Sequence, residues 1–211
     1  MREYPKIQSI FKRDDRTHKF IEGEWTLPEF EYLKDNLWKA TEKIDGTNTR
    51  VNWDAENKEV RFGGRTDNAQ IPVFLINKLQ ELFPKEKFLE HYPEVSMTLY
   101  GEGYGARIQK GGGNYISNGV DFALFDVLID GWWLYRGNIE DIASKLDIKC
   151  VPFIGTTTLL EVINLIRRGL LSHYGDFESE GIVLKPFTML FNRKGERIIT
   201  KLKHKDFEDV K

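Results

Sequence analysis

Lys43-Ile44-Asp45-Gly46-Thr47-Asn48 is the stretch on which the reading of this chain turns. A lysine just before an Asp-Gly turn can be held as a nucleophile, or it can be an ordinary strand lysine leading into a turn. Lys-x-Asp-Gly alone is too short to choose. Further signals follow it in a fixed order: Gly63-Gly64-Arg65-Thr66, Leu99-Tyr100-Gly101-Glu102-Gly103, Phe122-Ala123-Leu124-Phe125-Asp126-Val127, Glu180-Gly181-Ile182-Val183-Leu184-Lys185-Pro186 and Lys201-Leu202-Lys203. Together they favour the nucleophile.

These motifs fall on strands or strand ends. Segments 49–53, 59–62, 96–101, 120–129, 132–135, 181–184 and 197–202 are rich in β-branched and aromatic residues and bounded by turn formers, so they read as strands. Residues 54–58 and Ile129-Asp130-Gly131 read as hairpin connections, which favours an antiparallel α+β arrangement over alternating βαβ units. Two helices are predicted. Ile71, Phe74, Leu75, Leu79, Leu82 and Phe83 make one apolar stripe, and residues 158–171 make another helix, capped by Thr157 or Thr158 with Gly169 near its end. Gly101-Glu102-Gly103-Tyr104-Gly105-Ala106 imitates a dinucleotide fingerprint, but Gly111-Gly112-Gly113 cannot continue as its packed helix, so a Rossmann site is rejected.

At 211 residues the chain fits one large domain, with no repeat or linker to divide it. Its 31 basic and 33 acidic residues leave a net charge of −2, so phosphate binding must be local. Arg193, Lys194, Arg197, Lys201, Lys203 and Lys205 face only Glu196 in the span 193–205, a cluster that can steer polyphosphate or nucleic acid. The alternative is a solvated face protecting a sheet edge. Cys150 is the single cysteine, His18, His91, His173 and His204 lack zinc spacing, and no leader or membrane span is visible; a cytosolic (cytoplasmic) protein without a membrane association is expected.

From about residue 40 to 205, the chain resembles the covalent nucleotidyltransferase superfamily of ligases and capping enzymes. Lys-x-Asp-Gly-Thr-Asn, where DNA ligases usually have Arg last, together with Glu-Gly-x-Val-x-Lys-Pro, is most similar to ATP-dependent RNA ligases of the RNA ligase 2 class. The resemblance implies an α+β nucleotidyltransferase (ATP-grasp-like) domain, with antiparallel sheets flanked by helices around a central nucleotide cleft. It implies ATP and Mg2+ or Mn2+ as cofactors. The implied partner is RNA with 3′-OH and 5′-phosphate ends, as a nicked duplex or as loop or single-stranded ends, with room for a substrate-binding protein partner.

The same resemblance distributes roles. Lys43 is the nucleophile, Asp45 orients it or assists the attacking hydroxyl, and Lys201 and Lys203 contact the α-phosphate. Glu102 binds the ribose hydroxyls, Glu180 is the metal-linked carboxylate, Phe125 stacks on adenine, and Glu42, Asn48 and Lys185 join the nucleotide set. Arg65 and Asn48 contact RNA, with Arg107 in a glycine-rich loop beside the cleft. Family members usually carry an OB-fold or helical domain after the last lysine motif, whereas this sequence reaches Lys211 eight residues beyond Lys203. The expectation is a single minimal ligase domain over 1–211, of a kind that suits RNA repair and a phage or viral source.

The chemistry makes demands of its own. A neutral amine must attack phosphorus, yet a lysine of ordinary pKa is only about one part in a thousand neutral near pH 7.4, and closing that gap is worth about 4 kcal/mol. Lys201 and Lys203, alternating about Leu202 on one strand face, can lower the Lys43 pKa if they converge on it. Otherwise they belong to an amphipathic edge strand, Phe125 to the core, and Glu102 and Glu180 to plain ion pairs. A DNA ligase, a GTP-using capping enzyme and a non-sealing RNA-end or nucleotide-binding module are the rival readings.

Overall fold

The computed structural model describes residues 1–207. In chain order its strands are β1 (Gln8–Ser9), β2 (Phe11–Arg13), β3 (Phe20–Trp25), β4 (Trp38–Lys43), β5 (Thr47–Asp54), β6 (Glu59–Gly64), β7 (Met97–Gly105), β8 (Val120–Ile129), β9 (Trp132–Trp133), β10 (Lys149–Cys150), β11 (Phe153–Thr157), β12 (Gly181–Pro186) and β13 (Thr200–Lys203). The helices are α1 (Pro28–Tyr32), α2 (Val73–Leu82), α3 (Lys85–His91), α4 (Gly112–Tyr115), α5 (Arg136–Lys145) and α6 (Leu159–Arg167). A 3-10 turn, His204–Asp206, follows β13. The architecture is α+β, as expected. Residues 1–5 and 45–151 form one compact unit and 6–44 and 152–207 belong to a second, each with its own core.

The first unit is a sheet in the order β10-β8-β7-β5-β6, with β9 folded back on β8. Its pairings are antiparallel except for β10 with β8. The β8–β9 link is the predicted one: Asp130 and Gly131 have φ of 49° and 84°, the positive pair that a two-residue hairpin requires. Leu75 and Leu79 of α2 enter this unit's core, while Phe74, expected on the same stripe, is exposed. Strand β7 carries Gly101–Gly105 as extended chain, which agrees with the rejection of a dinucleotide loop.

The second unit is a sheet in the order β1-β13-β12-β4-β11, with a small β2–β3 ribbon. Only β1 joins β13 in parallel; the other pairs are antiparallel. Strand β13 therefore lies inside the sheet rather than at its edge, and its charges protect no free ladder. Helix α6 presents Leu159, Val162, Ile163 and Ile166 to the core cluster of this unit, the i, i+3, i+4, i+7 pattern of a buried stripe. Thr158 is its cap: its hydroxyl accepts from the Glu161 amide at 3.2 Å, and Glu161 accepts from the Thr158 amide at 2.9 Å.

Gly181 sits where three strands meet, opposite Lys43 on one side and Lys203 on the other. With φ at 156°, a β-carbon here would overlap the Leu202 carbonyl oxygen and come within 2.8 Å of the Lys203 α-carbon. Gly181→Ala is expected to cost about 2 kcal/mol or more, because backbone rather than a flexible side chain must move. Thr158→Ala, by comparison, is expected to cost about 1 kcal/mol through loss of the cap. Both values are read from urea denaturation midpoints.

Candidate active site

Strand register assembles the charged set of the second unit. Thr41, Val183 and Lys201 share one row across β4, β12 and β13, Lys43, Gly181 and Lys203 share the next, and Lys185 opposes Lys39. Aligned residues point to one face of a sheet, so Lys39, Lys43, Lys185, Lys201 and Lys203 project together. The partners on the other face, Trp38, Ala40, Ile182, Leu184, Thr200 and Leu202, are buried. A five-lysine surface thus lies back to back with an apolar core.

Glu180 is the counter-charge. Its Oε2 lies 2.5 Å from the Lys43 Nζ, and its Oε1 is ion-paired with Lys203. The Glu180 side chain is 14% exposed and those of Lys43 and Lys203 about a fifth, so solvent screens the clamp only in part. Gly181 lets β12 approach β13 closely enough for one carboxylate to reach both ammonium groups. Lys201 is different. Burial first, and then the charges of Lys43 and Lys203, push its pKa below the lysine value, against a smaller pull from Glu180 and Asp206. The convergence expected to act on Lys43 is seen here acting on Lys201.

Glu42 departs from the lysine set. It falls on the opposite, buried face, where its carboxylate accepts from Ser172 Oγ at 2.5 Å and the His173 amide at 2.9 Å, with His173 Nδ1 at 3.1 Å. Ser172 and His173 were not foreseen, and no local signal marks residues 130 positions away as partners.

The remaining predicted residues belong to the first unit. The amide of Asp45 is the donor to Tyr115 Oη at 3.2 Å, and Gln109 Nε2 donates to the Gly46 carbonyl at 3.2 Å, so the glycine-rich segment 107–113 and α4 embrace the Asp-Gly turn. Gly46 is required there, since a β-carbon would strike the Gly103 carbonyl and lie 2.7 Å from Glu102 Cγ. Asn48 and Glu102 are cross-strand partners on β5 and β7. The Asn48 Oδ1 is buried without a hydrogen-bond donor among the described residues, an acceptor left open in a polar setting. Arg65 is exposed just past β6, and Arg107 is exposed with φ at 69°.

Phe125 does not simply alternate with Ala123. Tyr100 pairs with Asp126 and Gly101 with Leu124, so Phe125 is the extra residue of a β-bulge, which re-aims its ring. Tyr4 meets that ring edge-on at 5.1 Å, and its hydroxyl donates to the buried Asp126 at 2.6 Å. The amino-terminal segment thereby becomes a support of the bulge that no motif announced. Groups of three or more His, Cys, Asp or Glu side chains placed to cage a metal are absent among the described residues. Glu180 alone fits a hydrated divalent cation, which takes few protein oxygens.

A profile of the RNA ligase family matches residues 36–203, spanning every motif just described. The chain belongs to the RNA ligase family. Among solved structures, a lysine-to-alanine mutant of Naegleria gruberi RNA ligase with ATP and Mn superposes with a TM-score of 0.64 at 21% identity, over 85% of this chain and 54% of that one. A lysine-to-methionine mutant of the same ligase with AMP and Mn gives 0.67 at 18% identity, over 95% and 57%. An archaeal ATP-dependent RNA ligase gives 0.65 at 18%, over 98% and 49%. This chain spans about half the length of these ligases. At such identities the likeness concerns the fold, which is that of the RNA ligase nucleotidyltransferase region. No helix among the described residues is long and apolar enough to cross a membrane.

Lys201 carries a pH signature. The folded protein releases its proton at lower pH than the unfolded chain, whose lysine keeps the ordinary 10.5. Between those values the unfolded state binds more protons, so this site's contribution to stability rises with pH, and below them the charged lysine is a constant penalty. Lys201→Met is accordingly expected to raise the denaturation midpoint at pH 7, with the gain shrinking as pH approaches 10.5. A variant less stable than the parent at pH 7 would contradict the assignment.

Proposed function

We propose that this protein is an ATP-dependent RNA ligase acting through a lysyl-AMP intermediate. The observation that carries the reading is the clamp of Lys43 and Lys203 on Glu180, with Lys201 beside it on the same sheet face. Family membership supports it, as do the ATP, AMP and Mn held by the matched ligases.

In the first step the deprotonated Lys43 Nζ uses its lone pair to form a bond to the α-phosphorus. The bond from that phosphorus to the bridging oxygen breaks, its electron pair leaves with pyrophosphate, and the nitrogen sheds one further proton. Lys201 and Lys203 stabilise charge on the α-phosphate oxygens, the contribution that matters most in phosphoryl transfer. Glu180 holds Lys43 as an ammonium in the resting state, so the nucleophile is released when that carboxylate finds another partner. A divalent cation at Glu180, when bound, supplies that charge and neutralises phosphate oxygens.

AMP then passes to a 5′-phosphate RNA end, and a 3′-hydroxyl displaces it to seal the strand. Within this reading Glu102 and Asn48 meet the ribose and terminal nucleotide, the open Asn48 Oδ1 being suited to accept from a hydroxyl, and the bulged Phe125 stacks on adenine. Asp45 assists the attacking hydroxyl, Lys185 neutralises phosphate, and Arg65 and Arg107 take RNA phosphates with the fork geometry arginine provides. Mg2+ serves as Mn2+ does, and a nicked duplex is the substrate form that best satisfies both ends at once.

Incubation with magnesium and α-labelled ATP tests the nucleophile: label is expected on the denatured parent protein and absent from Lys43→Ala. Glu180→Gln is expected to slow adduct formation about a hundredfold or more. Label retained by Lys43→Ala would end the proposal, and labelling by GTP in preference to ATP would turn it toward capping chemistry.

A further inference from the structure

Residues 1–5 belong to the first unit, although no motif includes them. Arg50, Tyr100 and Asp126 form one row across β5, β7 and β8, and all three are fully buried. The next row, Val51, Leu99 and Val127, enters the apolar core, so the polar row points to the opposite face of the sheet. Polar groups buried in this way need partners. The amino-terminal residues supply one for each strand in turn. Arg50 Nη1 donates to the Met1 carbonyl at 3.0 Å, Tyr100 Oη donates to the Arg2 carbonyl at 2.9 Å, and Tyr4 Oη donates to Asp126 at 2.6 Å. The segment is a strap laid across three strands.

Its last tie falls beside the bulge. Asp126 directly follows Phe125, the residue that the bulge leaves without a ladder partner on β7. A bulged residue is released from the regular alternation of its strand, so its side-chain direction depends on what packs against it. Tyr4 packs against it edge-on, with centroids 5.1 Å apart and planes at 69°, a favoured aromatic geometry. Tyr4 cannot yield easily, because Tyr100 at 5.2 Å and Trp133 at 5.8 Å hold its own ring. Phe125 keeps part of its surface open while Tyr4 is buried. An aromatic ring braced from within and partly open is suited to stacking on a planar base.

We infer that Tyr4 is a positioning residue for nucleotide binding: it braces Phe125, and Asp126 anchors the brace. The inference rests on the ligase reading for the role of the Phe125 ring, but its test needs no adduct. With magnesium present, α,β-methylene ATP, whose bridging carbon is not displaced, and inorganic tripolyphosphate are titrated calorimetrically into the full chain and its variants. Tyr4→Ala is expected to bind the ATP analogue about tenfold more weakly, the worth of one base–aromatic stack, and tripolyphosphate as the parent does, since that ligand has no base. Tyr4→Phe, which keeps the ring, is expected to recover most of the loss. In Tyr4→Ala/Phe125→Ala the analogue is expected to bind no more weakly than in Phe125→Ala alone, because the first residue acts through the second. An equal loss for both ligands would make Tyr4 a support of the fold only and overturn the inference. So would unchanged affinity in Tyr4→Ala, additive losses in the double variant, or no binding of the analogue by the parent at millimolar concentration. Failure of Lys43 labelling with these affinities as expected would sink the ligase reading and leave the brace standing.

Discussion

One carboxylate between two ammonium groups organises the second unit. Glu180 reaches both Lys43 and Lys203 only because β4, β12 and β13 run in register and Gly181 leaves no side chain between them. Without the carboxylate, the lysines would leave several like charges crowded on one sheet face, an arrangement that repels itself. The apolar reverse of the same strands, packed with α6, supplies the burial that holds the charges in place. The site is therefore a surface property of a core that was built for other reasons.

Charge crowding of this kind is costly for folding and useful for chemistry. Lys201 is partly desolvated and faces two other lysines, so the folded protein disfavours its charged form. In the proposed reaction an incoming polyphosphate reverses the balance, because every repelling ammonium then has an anion to meet. On that reading binding and neutralisation are the same event. The Glu42 network works on the other side of the sheet: a fully buried carboxylate held by Ser172 and His173 ties the strand that bears Lys43 to the segment following α6.

What the sequence disclosed was whatever local chemistry writes. Strand β8 and its Asp130-Gly131 hairpin, the Thr158 cap and the strands around Glu102 and Lys43 were legible because alternation and turn preferences act over a few residues. Strands β1, β2 and β10 have two or three residues each, too few to carry a period, and they exist because a longer neighbour offers a ladder. The position of β13 inside the sheet was equally hidden, since an amphipathic strand reads alike at an edge or beside a short parallel partner. In the site, Lys43, Glu180, Lys201 and Lys203 were named from motifs, but their meeting depends on register between distant segments. The Phe125 bulge depends on the register between β7 and β8, and the Tyr4 support and the Glu42 partners arise from contacts spanning more than a hundred residues, which no pattern within a window can express.

The second unit is assembled from both flanks of the first. β4 is synthesised early, yet its ladder partner β12 and the charge partners of Lys43 emerge about 140 residues later, and β1 waits 192 residues for β13. During translation the residues from Asp45 to Val151 can condense around their own core while Trp38, Ala40 and the lysine remain without a sheet. Long-range pairing of this kind is slow and leaves a strand edge open in the meantime. Lys43 is consequently among the first parts of the molecule to be made and among the last to acquire its environment, so the charge clamp forms only once β12 and β13 have been added.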